Sequence, residues 1–231
     1  TMIFRAVRQR LYPHPYGGSG SGFNLFLSLV MLAGLMLGTT AVRAADNIIM
    51  LGDSITAGYG LAPTEALPVR LQAAIRQAGR DAQVENAGVS GDTTAAALAR
   101  VDWTIGNRQP DLVIVALGGN DGLRGIDPVE TRKNVLGIVQ KLKSKKIPVL
   151  LAGMLAPRNL GPDYAAIFDP IFSDVATAEQ VALYPFLLDG VAADPSMNQP
   201  DGIHPSAEGA DLIARRMAPH VIRALEASSK K

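Results

Sequence analysis

Six consecutive apolar residues, Leu112-Val113-Ile114-Val115-Ala116-Leu117, run straight into Gly118-Gly119-Asn120-Asp121. The run is short for a helix, rich in β-branched residues and closed by turn formers, so it reads as a strand. A strand that is apolar on both faces needs cover on both, and parallel sheets wrapped by helices provide it. Ile48-Ile49-Met50-Leu51 repeats the pattern and stops at Gly52-Asp53-Ser54, and residues 147–152 form another such run. Residues 82–86 and 182–184 are weaker strand signals.

Helical signals fill the intervals. Pro68 suits a first turn, followed by Val69, Leu71, Ala74, Ile75 and Ala78 on one face. Asp92-Thr93-Thr94 caps a helix expected over residues 95–100. Asp127-Pro128-Val129-Glu130 reads as N-cap, proline at the first helical position and a glutamate returning to the cap. Val135, Ile138, Val139 and Leu142 then follow helical spacing. One further helix is expected over about residues 164–176. A last one spans residues 206–224, with Ile213, Met217, Val221 and Leu225 on one face and a kink at Pro219. Strand and helix alternate throughout, which predicts one α/β domain: a five-stranded parallel sheet in a three-layer α/β/α sandwich.

That domain is expected over residues 45–231. Residues 1–44 hold Arg5, Arg8, Arg10 and Arg43, no acidic residue, and an apolar stretch from Leu25 to Leu37. Val42-Arg43-Ala44-Ala45 supplies small residues for cleavage, so the segment reads as a signal peptide, with an uncleaved N-terminal anchor as the rival. A periplasmic or secreted location follows, with membrane contact only through residues 1–44 if they are retained. Without them the chain has more acidic than basic residues, so there is no electrostatic case for nucleic acid. The absence of cysteine rules out a thiol nucleophile and thiolate metal sites.

The chemistry-bearing residues cluster in loops that follow strands. A serine hydroxyl needs a base within reach, and the base needs an orienting partner. His220 sits in a helical stretch and reads as a surface or core histidine. His204 sits in the loop Asp201-Gly202-Ile203-His204-Pro205, where the Asp201 carboxylate three residues earlier can fold back onto the imidazole. Taken alone the pair is a weak signal and reads rather as a helix-entry turn in which Asp201 merely caps. Acyl transfer also needs donors for an oxyanion, and Asn120 and the glycine-rich backbone at Gly91 and Ser54 can provide them. Asp53 and Asp121 read as acceptors fixing their loops rather than as metal ligands. Leu155, Ile167, Phe168 and Phe172 are either an acyl channel or core.

Four blocks together carry more than any one: Gly52-Asp53-Ser54, Asn86-Ala87-Gly88-Val89-Ser90-Gly91-Asp92-Thr93, Gly118-Gly119-Asn120-Asp121-Gly122-Leu123-Arg124-Gly125 and Asp201-Gly202-Ile203-His204-Pro205. In this order they resemble the GDSL or SGNH hydrolase superfamily, within it the bacterial periplasmic thioesterase I, lysophospholipase and arylesterase branch. The resemblance covers about residues 46–225. It implies a flavodoxin-like sheet of order 2-1-3-4-5. It implies Ser54 as nucleophile, His204 as base and Asp201 as its orienter. It implies an oxyanion hole of the Ser54 N–H, the Gly91 N–H and the Asn120 side chain, with Gly88 as the rival glycine. No cofactor and no metal are implied. The expected activity is a serine esterase on small-molecule carboxylic esters and thioesters, aryl esters and short to medium acyl chains, through an acyl-enzyme. The alternatives are a lysophospholipase or carbohydrate acetylesterase with the same triad, and a non-catalytic binding module. Thr56 stands where a Gly-x-Ser-x-Gly elbow has its last glycine, which argues against the α/β-hydrolase fold. Leu67-Pro68 departs from the Trp-Pro of the branch.

Overall fold

The computed structural model describes residues 44–228. The signal-peptide reading of residues 1–44 therefore falls almost wholly outside the described residues. Five strands form one sheet: β1 (Asp46–Gly52), β2 (Ala82–Gly88), β3 (Leu112–Ala116), β4 (Val149–Ala152) and β5 (Ala182–Tyr184). Every pairing is parallel and the order is β2-β1-β3-β4-β5. This is the flavodoxin-like order implied above.

The helices are α1 (Ser54–Ala57), α2 (Leu67–Gln77), α3 (Thr94–Ile105), α4 (Gly119–Leu123), α5 (Pro128–Ser144), α6 (Pro162–Phe168), α7 (Ile171–Glu179) and α8 (Ala207–Ser228). The chain steps from β1 outward to β2, then back across β1 to β3. Right-handed crossovers in opposite directions put α2 and α3 on opposite faces. Accordingly α2 packs on α8, while α5 packs between α3 and α7. Strand β3 is wholly buried, as its unbroken apolar run requires. Edge strand β2 alternates buried Ala82 and Val84 with exposed Gln83 and Glu85. Val135, Ile138, Val139 and Leu142 of α5, and Ile213, Met217, Val221 and Leu225 of α8, are core residues.

Several local expectations are corrected. Val69 and Ala78 face solvent, because α2 presents Leu67, Leu71 and Ile75 to the core instead. Helix α3 runs on to Ile105, carried by buried Val101 and Thr104. Glu130 does not return to the cap: Asp127 accepts from the Val129 N–H, and Glu130 pairs with Lys133. The single helix over 164–176 is two, because Pro170 supplies no N–H to continue the first, and α7 starts afresh at Ile171. Helix α8 continues through Pro219 to Ser228. Phe168 and Phe172 are buried core, whereas Ile167 is exposed, so these residues do not line one channel.

Candidate active site

The sheet gathers the four sequence blocks at one edge, the C-terminal ends of β1, β2 and β3. Ligand crevices in such sheets open where the strand order reverses, here between β1 and β3. At the end of β1, Gly52 leaves no space for a side chain: an added Cβ would lie 2.0 Å from Thr56 Oγ1 and 2.8 Å from the Ala116 carbonyl oxygen. The glycine lets the chain turn directly under β3. Asp53 then caps α1, its Oδ1 accepting from the Ile55 N–H at 3.0 Å. Gly58 ends α1 in the left-handed region, at φ 81°. Ser54 is thereby held at the first helical position.

The imidazole beside Ser54 comes from the other end of the chain. In the loop before α8, Asp201 Oδ1 accepts the backbone N–H groups of Ile203 (2.9 Å) and His204 (3.0 Å). Its Oδ2 lies 2.7 Å from His204 Nδ1. His204 Nε2 lies 2.9 Å from Ser54 Oγ, across 150 residues of sequence. The carboxyl of Asp201 is held down at about 2, by the His204 N–H first, then the imidazole and the Ile203 N–H. An ionised carboxylate only accepts, so the imidazole proton resides on Nδ1 and Nε2 is free to accept from the serine. The ring of Tyr59 lies against that of His204, centroids 4.5 Å apart.

The oxyanion candidates lie on the segments that follow β1, β2 and β3. Asn120 Nδ2 donates to the Asp92 carbonyl at 3.0 Å, which ties the third block to the second. The backbone N–H groups of Ser54 and Gly91 have no acceptor among the described residues. The N–H of Gly88, the rival, is taken by Asn86 Oδ1 at 3.0 Å. Gly91 sits at φ 86°, a conformation that favours glycine. Gly118, at φ 104°, is closed over by Phe172, whose Cζ would lie 2.7 Å from an added Cβ.

Asp53 and Asp121 fix loops, as expected. Asp121 is fully buried and accepts from the Thr94 N–H (2.9 Å), Thr94 Oγ1 (2.5 Å) and Thr131 Oγ1 (3.3 Å). Among the described residues no three acidic or histidine side chains converge as a metal-ligand set. His220 is remote from this chemistry: its Nδ1 faces the Leu183 carbonyl and its ring meets the edge of Tyr184.

Burial pushes the Asp53 carboxyl up to about 6, against the lowering effects of the Ile55 N–H and His204. The sign follows directly. A folded value above the unfolded one gives a contribution that is full below about pH 4 and lost as pH rises through about 6. Asp53→Asn removes that loss. Its stability relative to wild type should therefore rise between pH 4 and pH 8, by on the order of 2–3 kcal/mol. Thermal denaturation at the two pH values checks this, and an unchanged difference contradicts it.

Sequence reasoning missed the side chains that hold these loops together. Arg100 donates through Nε to Asp92 Oδ2 at 2.6 Å and through one terminal nitrogen to the carbonyls of Gly52 (3.1 Å) and Ala87 (2.9 Å). One guanidinium thus joins the ends of β1 and β2 to the Asp92 loop. Arg124 donates to the Gly91 carbonyl at 2.9 Å. Neither role is legible locally: Arg100 reaches a carboxylate eight residues away and two carbonyls on neighbouring strands, and Arg124 a carbonyl 33 residues away, all brought together by tertiary folding.

A serine, an imidazole and a carboxylate in relay, beside unused N–H donors at the mouth of a parallel sheet, define a protein of the serine hydrolase class. The chain belongs to the GDSL-like Lipase/Acylhydrolase family, whose model matches residues 50–212. It is 40% identical to Esterase TesA of Pseudomonas aeruginosa over 180 residues, 78% of this chain and 86% of that one. It is 35% identical to an Arylesterase of Vibrio mimicus over 199 residues, 86% of this chain and 98% of that one. Its fold is similar to the crystal structure of AlinE4, an SGNH-hydrolase family esterase. There the TM-score is 0.68 at 43% identity, covering 80% of this chain and 98% of the other.

Proposed function

We propose that the protein is a serine esterase acting on carboxylic esters and thioesters. The carrying observation is the unbroken path Asp201–His204–Ser54, with contacts of 2.7 and 2.9 Å. Ser54 Oγ attacks the carbonyl carbon as His204 Nε2 takes its proton, forming a tetrahedral oxyanion. The N–H groups of Ser54 and Gly91 and the Asn120 amide receive that charge. Collapse expels the alcohol or thiol, which takes the proton from Nε2 and leaves an acyl-serine. Water, deprotonated by the same nitrogen, then releases the acid and restores Ser54.

Aryl esters and short to medium acyl chains are the proposed substrates. Support comes from the esterase and arylesterase relatives. We place its work outside the cytoplasm, on the basic–apolar–small order of residues 1–44.

Purified protein should hydrolyse p-nitrophenyl acetate and butyrate. A panel adding lysolipids, acetylated sugars and acyl thioesters fixes the preferred class. No turnover on any ester or thioester overturns the reading. Asn120→Ala should lower kcat by about 10²–10³ and leave KM little changed, since the amide serves charge that exists only in the transition state. Steady-state kinetics on p-nitrophenyl butyrate measures both, and an unaltered kcat removes Asn120 from the oxyanion hole.

A further inference from the structure

The proposed nucleophile and base come from opposite ends of the domain, and no strand or helix contains both. What sets the distance between them is a third residue. Gln199 Nε2 donates to the carbonyl of Tyr59 at 2.7 Å, across 140 residues, and to that of Pro205 at 3.0 Å. Its backbone N–H donates to the His204 carbonyl at 2.8 Å. Its own carbonyl accepts the Gly202 N–H at 2.9 Å, so Gln199 also closes the turn that carries Asp201.

On the nucleophile side, the Tyr59 N–H donates to the carbonyl of Ser54 itself at 3.0 Å. A continuous polar path therefore links the two backbones: Ser54 carbonyl, Tyr59 peptide, Gln199 amide, and the peptides of His204 and Pro205. The same contact seats the Tyr59 ring on the imidazole. Gly60 is shaped to this clasp. An added Cβ there would lie 2.1 Å from Gln199 Oε1, and its φ of 75° favours glycine.

We infer that Gln199 is a positioning residue, a clasp that bridges the Ser54 and His204 loops and sets the Ser54 Oγ to His204 Nε2 distance. The inference rests on the reading of those two residues as nucleophile and base. Gln199 touches neither reacting atom. It acts through the Tyr59 and His204 backbones. A leucine at 199 keeps the bulk and loses both side-chain donors. Among the described residues the two loops then meet through the Ser54–His204 hydrogen bond itself and side-chain packing, with nothing in the main chain to hold their spacing, and a displacement near 1 Å costs about 10²-fold in rate.

The test is Gln199→Leu, assayed well below its melting temperature. The expected result is a kcat lower by about 10–100-fold, a KM within about twofold and a Tm within about 4 °C of wild type. The rate of Ser54 phosphonylation by a fluorophosphonate should fall in parallel, because that reaction needs the same alignment and little substrate recognition. Gly60→Ala, which crowds the amide without altering Gln199, should move kcat the same way. A Gln199→Leu kcat within twofold of wild type overturns the inference, and so does a loss that merely follows the fraction unfolded. In either case an inactive Ser54→Ala leaves the proposed nucleophile standing, so the two claims fail separately.

Discussion

Ser54→Ala is expected to lower kcat on p-nitrophenyl esters by about six decades, the loss typical when one member of a Ser-His-acid unit is deleted. The Ser54 hydroxyl is the proposed nucleophile, and an imidazole is already in contact with it. Its one side-chain hydrogen bond is to His204 Nε2. Ser54 caps nothing: Asp53 holds the start of α1, and the Ser54 carbonyl keeps its bonds to Gly58 and Tyr59. The variant should therefore fold normally and melt within a few degrees of wild type. Unchanged circular dichroism with lost turnover supports the assignment. A folded variant with more than about a hundredth of wild-type kcat contradicts it.

Asp201→Asn should cost about four decades in kcat, with KM little altered. The reason lies in how the carboxylate is held. Oδ1 accepts two backbone N–H groups, and those donors keep the amide oxygen of an asparagine in the same place. The amide NH2 must then face His204 Nδ1. It can only donate, so Nδ1 becomes the acceptor and the ring proton moves to Nε2, where it blocks transfer from Ser54. Because the Asp201 carboxyl is held at about 2, the wild-type side chain stays ionised through the working range. Its contribution to stability is full above about pH 4 and is lost as pH falls through about 2. Any acid limb of activity above about pH 4 therefore does not belong to Asp201. A loss below tenfold in Asp201→Asn would sink the tautomer argument.

The fold was legible because its signals are local. Uninterrupted apolar runs mark strands buried on both faces, and each ends at a turn. β5 was found at its observed bounds, Ala182–Tyr184, and the faces of α5 and α8 followed from spacing. The strand order was not readable from periodicity and came from the resemblance of the four blocks. The errors were those local reasoning makes. Val69 fits a helical face that the sheet does not use, and Glu130 has a better partner one turn on in Lys133.

At the site, the residues named from the sequence all arrive at one edge of the sheet. Ser54, His204 and Asp201 meet in a relay, and Asn120 bonds the second block through the Asp92 carbonyl. The resemblance puts Gly91 ahead of Gly88 as the proposed oxyanion donor, and the coordinates support that order: the Gly88 N–H is taken by Asn86 Oδ1, whereas the Gly91 N–H has no acceptor among the described residues. Arg100 and Gln199 were not legible because the contacts that tie the loops together, to the carbonyls of Gly52, Ala87, Tyr59 and Pro205, are to main-chain carbonyls, which no sequence pattern distinguishes. They fix the spacing that the family blocks presuppose.

The most direct measurement is intact-protein and peptide mass spectrometry after treatment with a fluorophosphonate. One adduct per chain on Ser54, with activity lost in step with labelling and both suppressed in His204→Ala, is the result expected. Labelling at another residue, or full hydrolysis by protein already modified at Ser54, would contradict the account.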